Sequence, residues 1–113
     1  MPQISIILPV YNSERYLEFC LDSIVSQSFD DWECICVDDG STDGSSVILA
    51  RYAREDPRIK VFSQGNKGLA ATRMVGLEKS VGEYVLFVDS DDYIDYDACL
   101  KVVNLMEETR VDV

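Results

Sequence analysis

The chain has no histidine, so no imidazole is available to complete a zinc site around its four cysteines. It is also poor in positive charge, with 10 Lys and Arg against 21 Asp and Glu and a net charge of −11. That balance argues against nucleic acid or an anionic membrane as the partner, because both select basic surfaces. Phosphorylated ligands stay open if a metal bridges them. No apolar run approaches the roughly eighteen residues of a membrane span. Met1-Pro2-Gln3 begins neither a basic segment nor a signal-like apolar stretch, so the cytoplasm is the expected location. Internal repeats, low-complexity segments and an interdomain linker are missing too, and 113 residues suit one domain. Disulfides are not expected. Cys34 and Cys36 are separated by one residue on a predicted strand, Cys20 and Cys99 sit in helical patterns, and all four read as buried free thiols.

What is present is an apolar core, 47% of the chain, and one stretch of concentrated chemistry. Val85-Leu86-Phe87-Val88 has the character of a buried strand and runs straight into Asp89-Ser90-Asp91-Asp92. Adjacent carboxylates repel, and a bound cation relieves that repulsion. In an extended backbone, Asp89 and Asp91 would point the same way and could share a hard divalent ion such as Mg2+ or Mn2+. The competing reading is a solvated acidic loop that caps the next helix.

The remaining chain alternates in type. Ile4-Ser5-Ile6-Ile7-Leu8 suits a strand covered on both faces, ending at Pro9, which cannot donate to a ladder. Asn12 or Ser13 is available to cap a helix that carries Leu17, Cys20, Leu21, Ile24 and Val25 at helical spacing. Glu33 to Val37 is the second strand; Thr42 or Asp43 caps the second helix, which Asp56-Pro57 ends. Ile59 to Phe62 is a short third strand, Leu69 to Lys79 the third helix, and Cys99, Val102, Val103 and Met106 mark a fourth. The order βαβαβαβα predicts an α/β fold, a parallel sheet with right-handed crossovers and helices on both faces. Val111-Asp112-Val113 reads as the start of a further strand, so the chain is expected to be part of a longer protein.

In such a sheet ligands bind outside the carboxyl ends of the strands. The loops from Pro9 to Ser13, Asp38 to Gly44, Gln64 to Gly68 and Asp89 to Asp95 all leave those ends, so the unusual residues converge on one edge.

Four segments on that edge carry a family resemblance: Ile6-Ile7-Leu8-Pro9-Val10-Tyr11-Asn12, Val37-Asp38-Asp39-Gly40-Ser41-Thr42-Asp43, Asn66-Lys67-Gly68-Leu69-Ala70-Ala71-Thr72-Arg73 and Asp89-Ser90-Asp91-Asp92. In this order and spacing they resemble family 2 glycosyltransferases, inverting enzymes of the GT-A fold. The resemblance implies that residues 1–113 form the three-layer, Rossmann-like nucleotide-sugar-binding half, with the acceptor half outside this chain. It implies Pro9, Tyr11 and Asn12 against the base and ribose, although Tyr11 could equally be core. Asp39 would accept a hydrogen bond from a uracil ring N–H, favouring a UDP-sugar donor. Asp38 would join it, or would cap the helix or orient the loop instead. Arg73, with Lys67 as a weaker candidate, would meet the diphosphate; otherwise it is a surface Arg paired with an acid.

Asp89 and Asp91 match the family's Asp-X-Asp element. The resemblance makes Asp91 the metal ligand and Asp89 a contact to ribose or, through water, to the metal. It places the general base beyond residue 113, so no catalytic residue is assigned here. It also implies a glycan or lipid-linked acceptor, a role in cell-surface polysaccharide synthesis, and peripheral membrane association as an open point for the full-length protein. Two other readings compete. One is a phosphoacceptor receiver domain, although Pro-Val-Tyr-Asn replaces the acidic pair such domains need after the first strand and no fifth-strand Lys exists. The other is a non-catalytic nucleotide-binding module.

Overall fold

A computed structural model describes residues 2–109. Four strands, β1 (Ile4–Val10), β2 (Trp32–Asp39), β3 (Ile59–Gln64) and β4 (Tyr84–Phe87), alternate with four helices, α1 (Leu17–Val25), α2 (Ser45–Glu55), α3 (Leu69–Lys79) and α4 (Ala98–Thr109). All strand pairs are parallel, in the order β3-β2-β1-β4. That order separates the two main readings of the fold. A flavodoxin-like receiver sheet places its third strand beside the first, whereas here β3 pairs with β2, as in the doubly wound dinucleotide-binding order. The receiver alternative is therefore set aside. The expected strand at Val111-Asp112-Val113 lies outside the described residues.

The alternation of β1 and β2 builds the three layers. Ile4, Ile6, Leu8 and Val10, with Trp32, Cys34 and Cys36, pack against Leu17, Leu21 and Ile24 of α1, Leu49 and Tyr52 of α2, and Cys99 and Val103 of α4. On the opposite face Ile7, Ile35 and Val37 meet Val75 of α3. A strand pair buried on both faces needs continuous apolar sequence, and all seven β1 residues are buried. The four thiols are free and buried within the first of these layers. Burial pushes the Cys20 thiol up to about 12 and the Cys99 thiol up to about 11.

At the amino end of the strands one acid is buried by design of its neighbours. Glu33 accepts hydrogen bonds from the Ser5 hydroxyl (2.5 Å), the Val81 amide (2.8 Å) and the Lys60 ammonium (2.9 Å). Ser5 in turn accepts from the Gly82 amide, so the network fastens the α3–β4 connection to the central strands.

Pro9 does not end β1; the strand runs through it to Val10. Its missing N–H explains why this is tolerated. Ile7 accepts from the Val88 amide and so directs its polar groups towards β4, and Pro9, two residues on, faces the same way. The β1–β4 register stops at Ile7↔Phe87, so no ladder partner stands opposite Pro9. No described helix is long and apolar enough to cross a membrane.

Candidate active site

The connections reverse direction at β1, which has β2 on one side and β4 on the other, so a crevice opens above their carboxyl ends. There the structure has a cleft of about 540 Å³, lined by Pro9, Tyr11, Asn12, Asp39, Asp89 and Asp91 among others. Tyr11 is 52% exposed, which removes it from the core and leaves its ring on the cleft wall.

The β1 loop is not a helix cap. Neither Asn12 nor Ser13 caps α1, which begins at Leu17 after a turn. Their side chains reach to other loops instead. Asn12 adopts a left-handed φ of 47°, tolerable for Asn, and accepts from the Thr42 amide (2.8 Å) while its own amide donates to Ser41 Oγ (3.0 Å). Ser13 shares a hydrogen bond with Ser90 of the aspartate loop. The β1 loop thus ties together the loops after β2 and β4. Asp43, not Thr42, serves the start of α2, accepting from the Ser45 amide (2.9 Å).

Asp38 and Asp39 close β2 but point to different tasks. Asp38 accepts from the Ser41 amide (3.1 Å), which orients its own loop, and it does not line the cleft. Asp39 is 4% exposed and still lines it. Its Oδ1 accepts from Gln64 Nε2 (3.0 Å) and the Lys67 amide (2.8 Å), and its Oδ2 from the Gly68 amide (3.0 Å). Burial raises its pKa, but those donors outweigh burial and hold the carboxyl below its ordinary value. Lys67 therefore acts here through its backbone, with its side chain exposed and away from the cleft lining.

The Asp89–Asp92 segment is not extended. The Asp92 amide donates to the Asp89 carbonyl (3.0 Å), closing a tight turn. The carboxylates still converge, for a different reason than strand alternation: the turn gathers Asp89, Asp91 and also Asp92, with one oxygen from each within 4.8 Å of the others. Three exposed carboxylates at that spacing offer oxygen ligands of the kind a hard divalent cation takes. Arg73 of α3 contacts Asp89 (3.2 Å), so the Arg expected at a diphosphate and the acid that would pair a surface Arg are the same cluster. Gln27 anchors this loop to α1 and α4: its Nε2 donates to the Asp95 carbonyl (2.6 Å), and its Oε1 accepts from the Cys99 amide (2.9 Å). Ser23 Oγ takes the Ile94 amide.

Gln27, Gln64, Thr72 and Ser90 were not singled out by sequence, and Ser13 was read only as a helix cap. Gln64 carried a findable signal, since extending the third strand by two residues makes it the register partner of Asp39.

Residues 5–113 match the family model for glycosyl transferase family 2. The chain belongs to that family. Among family 2 relatives, a glycosyltransferase of Haemophilus influenzae is 48% identical over 112 residues, covering 98% of this chain and 45% of that protein. Staphylococcus aureus TarS, solved with UDP-GlcNAc, superposes with a TM-score of 0.88 at 38% identity, over 96% of this chain and 32% of TarS. The mannosyltransferase PcManGT of Pyrobaculum calidifontis, solved with GDP-Man and Mn2+, gives a TM-score of 0.87 at 27% identity, over 97% of this chain and 34% of that one. The chain thus spans less than half the length of each. These likenesses place the sheet and its loops in the GT-A fold.

Proposed function

We propose that this chain is the donor-binding portion of a metal-dependent, inverting glycosyltransferase that moves a sugar from a UDP-sugar to an acceptor hydroxyl. One observation carries the reading: Asp39, Asp89 and Asp91 line one cleft at the switch point of the sheet, and Asp92 completes the carboxylate cluster at its edge. Asp39, buried and anionic, suits a ring N–H; Tyr11 and Pro9 offer flat apolar contact to a base; Asp91 and Asp89 hold the divalent cation. A divalent cation held by Asp91 and Asp89 would supply Lewis-acid neutralisation of the charge on a departing diphosphate. Arg73, at the same cluster, supplies planar donors for phosphate once released from Asp89.

The UDP-GlcNAc of TarS and the GDP-Man and Mn2+ of PcManGT support nucleotide-sugar binding by a protein of this fold; uracil selectivity rests on Asp39. The general base is assigned outside residues 1–113, with the acceptor site, so the isolated chain binds donor without transferring sugar. Glycan assembly at the cell surface fits the family and an acceptor hydroxyl.

The test is thermal melting with UDP and Mn2+, separately and together. A ligand that binds the native state alone raises Tm by linkage, so UDP with Mn2+ should exceed either one, and Asp91→Ala should remove the metal dependence. No shift with any nucleoside diphosphate, with or without metal, refutes the donor-site reading.

A further inference from the structure

Gln64 and Thr72 form a directed chain of hydrogen bonds that ends on Asp39. Thr72 is buried on the first turn of α3, and its hydroxyl donates to the Gly68 carbonyl (2.6 Å). Its single proton is then committed, so Thr72 Oγ1 can only accept from the Gln64 side chain (3.2 Å). Asp39 is likewise an acceptor. Both neighbours of the Gln64 amide demand donors, and this sets its orientation: the NH2 group lies between them, one hydrogen to each.

The consequence falls on Asp39. A carboxylate offers about four lone-pair sites. Oδ1 accepts from Gln64 and the Lys67 amide and Oδ2 from the Gly68 amide, with the Thr72 hydroxyl also beside the carboxylate. The remaining acceptor site is on Oδ2, and every neighbour around this carboxylate is a donor. A base with a ring imide N–H satisfies that site. A base that presents a ring nitrogen lone pair meets it acceptor to acceptor.

We propose that Gln64, oriented by Thr72, is a positioning residue that fixes Asp39 as an acceptor with its open site on Oδ2. The cleft thereby selects a nucleoside diphosphate whose base carries a ring imide N–H, as uracil does, over one with a ring acceptor, as cytosine does. This rests on the donor-site reading above and adds the residues that set its base selectivity. Register explains the arrangement: Gln64 is the last residue of β3 and the partner of Asp39 in the ladder, so their side chains leave the sheet on one face.

Calorimetric titration of the chain with UDP and with CDP, both with Mn2+, tests it. Gln64→Met keeps the length of the side chain and removes its donors. It should weaken UDP binding about tenfold, the scale of one lost hydrogen bond to a charged group, with little change for CDP. The ratio of the two affinities then collapses. Thr72→Val should move the ratio the same way, and Thr72→Ser, which keeps the hydroxyl, should restore it. This pair decides the matter even where Gln64→Met does not fold. A UDP-to-CDP ratio unchanged in Gln64→Met, or equal weakening of both nucleotides, overturns the positioning role while leaving the donor site intact. A wild-type chain that binds neither nucleotide refutes the donor-site reading and the positioning role with it.

Discussion

Glu33 offers a measurement that is independent of the cleft. Replacing it with Gln preserves shape but leaves an amide facing the Ser5 hydroxyl, the Val81 amide and Lys60, all of which donate to the native carboxylate. Glu33 is 2% exposed, so its partners cannot all be replaced by water. Lys60 is half exposed and recovers hydration, which discounts the ion-pair part. Ser5 and Val81 both donate to Oε2, a place the Gln carbonyl can take, so these two bonds lose their charge assistance rather than their acceptor, a loss of about 2 kcal/mol. For a domain near one hundred residues that corresponds to a Tm lower by about 10 °C. Acid should erase the difference. Burial raises the Glu33 pKa, but the Ser5, Val81 and Lys60 donors outweigh it, and the net value lies below the ordinary 4.5. A carboxyl whose pKa is depressed on folding contributes stability that is present above its unfolded value and lost as pH falls through its folded value. Urea unfolding of both chains from pH 7 into acid should therefore show two curves about 2 kcal/mol apart at neutrality that draw together as pH falls below the ordinary carboxyl value of 4.5. Equal stability at pH 7, or a gap that persists unchanged into acid, refutes this account of the network.

Three further outcomes follow from the structure. Gln27→Leu strips partners from the Asp95 carbonyl and the Cys99 amide, so it should lower stability by about 2 kcal/mol and raise the Mn2+ concentration needed to stabilise the fold in melting assays. Gly76→Ala gains about 1 kcal/mol of helix propensity, yet its new methyl would overlap Ile7 on the central strand; overpacking of about 2 kcal/mol wins, and denaturant midpoints should fall. The four buried thiols, with Cys20 pushed up to about 12 and Cys99 to about 11, should resist a disulfide reagent at pH 8 until urea unfolds the chain and all four react.

The architecture was legible where hydrophobic pattern and burial coincide. β1 reads as buried because Ile4 to Leu8 is nearly continuous in apolar residues, and α1 reads as a helix because Leu17, Cys20, Leu21 and Ile24 recur on one face. What escaped was set by contacts between distant residues. Ser13 looks like a helix cap in isolation, and only the approach of Ser90 redirects its hydroxyl. The Asp89–Asp92 turn depends on a backbone bond that an apolar run followed by acids does not encode. Strand order is likewise silent in the pattern, since both candidate folds share the same alternation of elements.

Pro9 has a consequence for how far the sheet can grow. A parallel ladder extends by adding one donor at a time, and between β1 and β4 it would next need an N–H from position 9. Proline cannot supply it, so the pairing halts at Ile7 while β1 continues against β2 to Val10. The space in which a nucleotide would lie is thus protected from the sheet itself, by one residue that works as a zip stop.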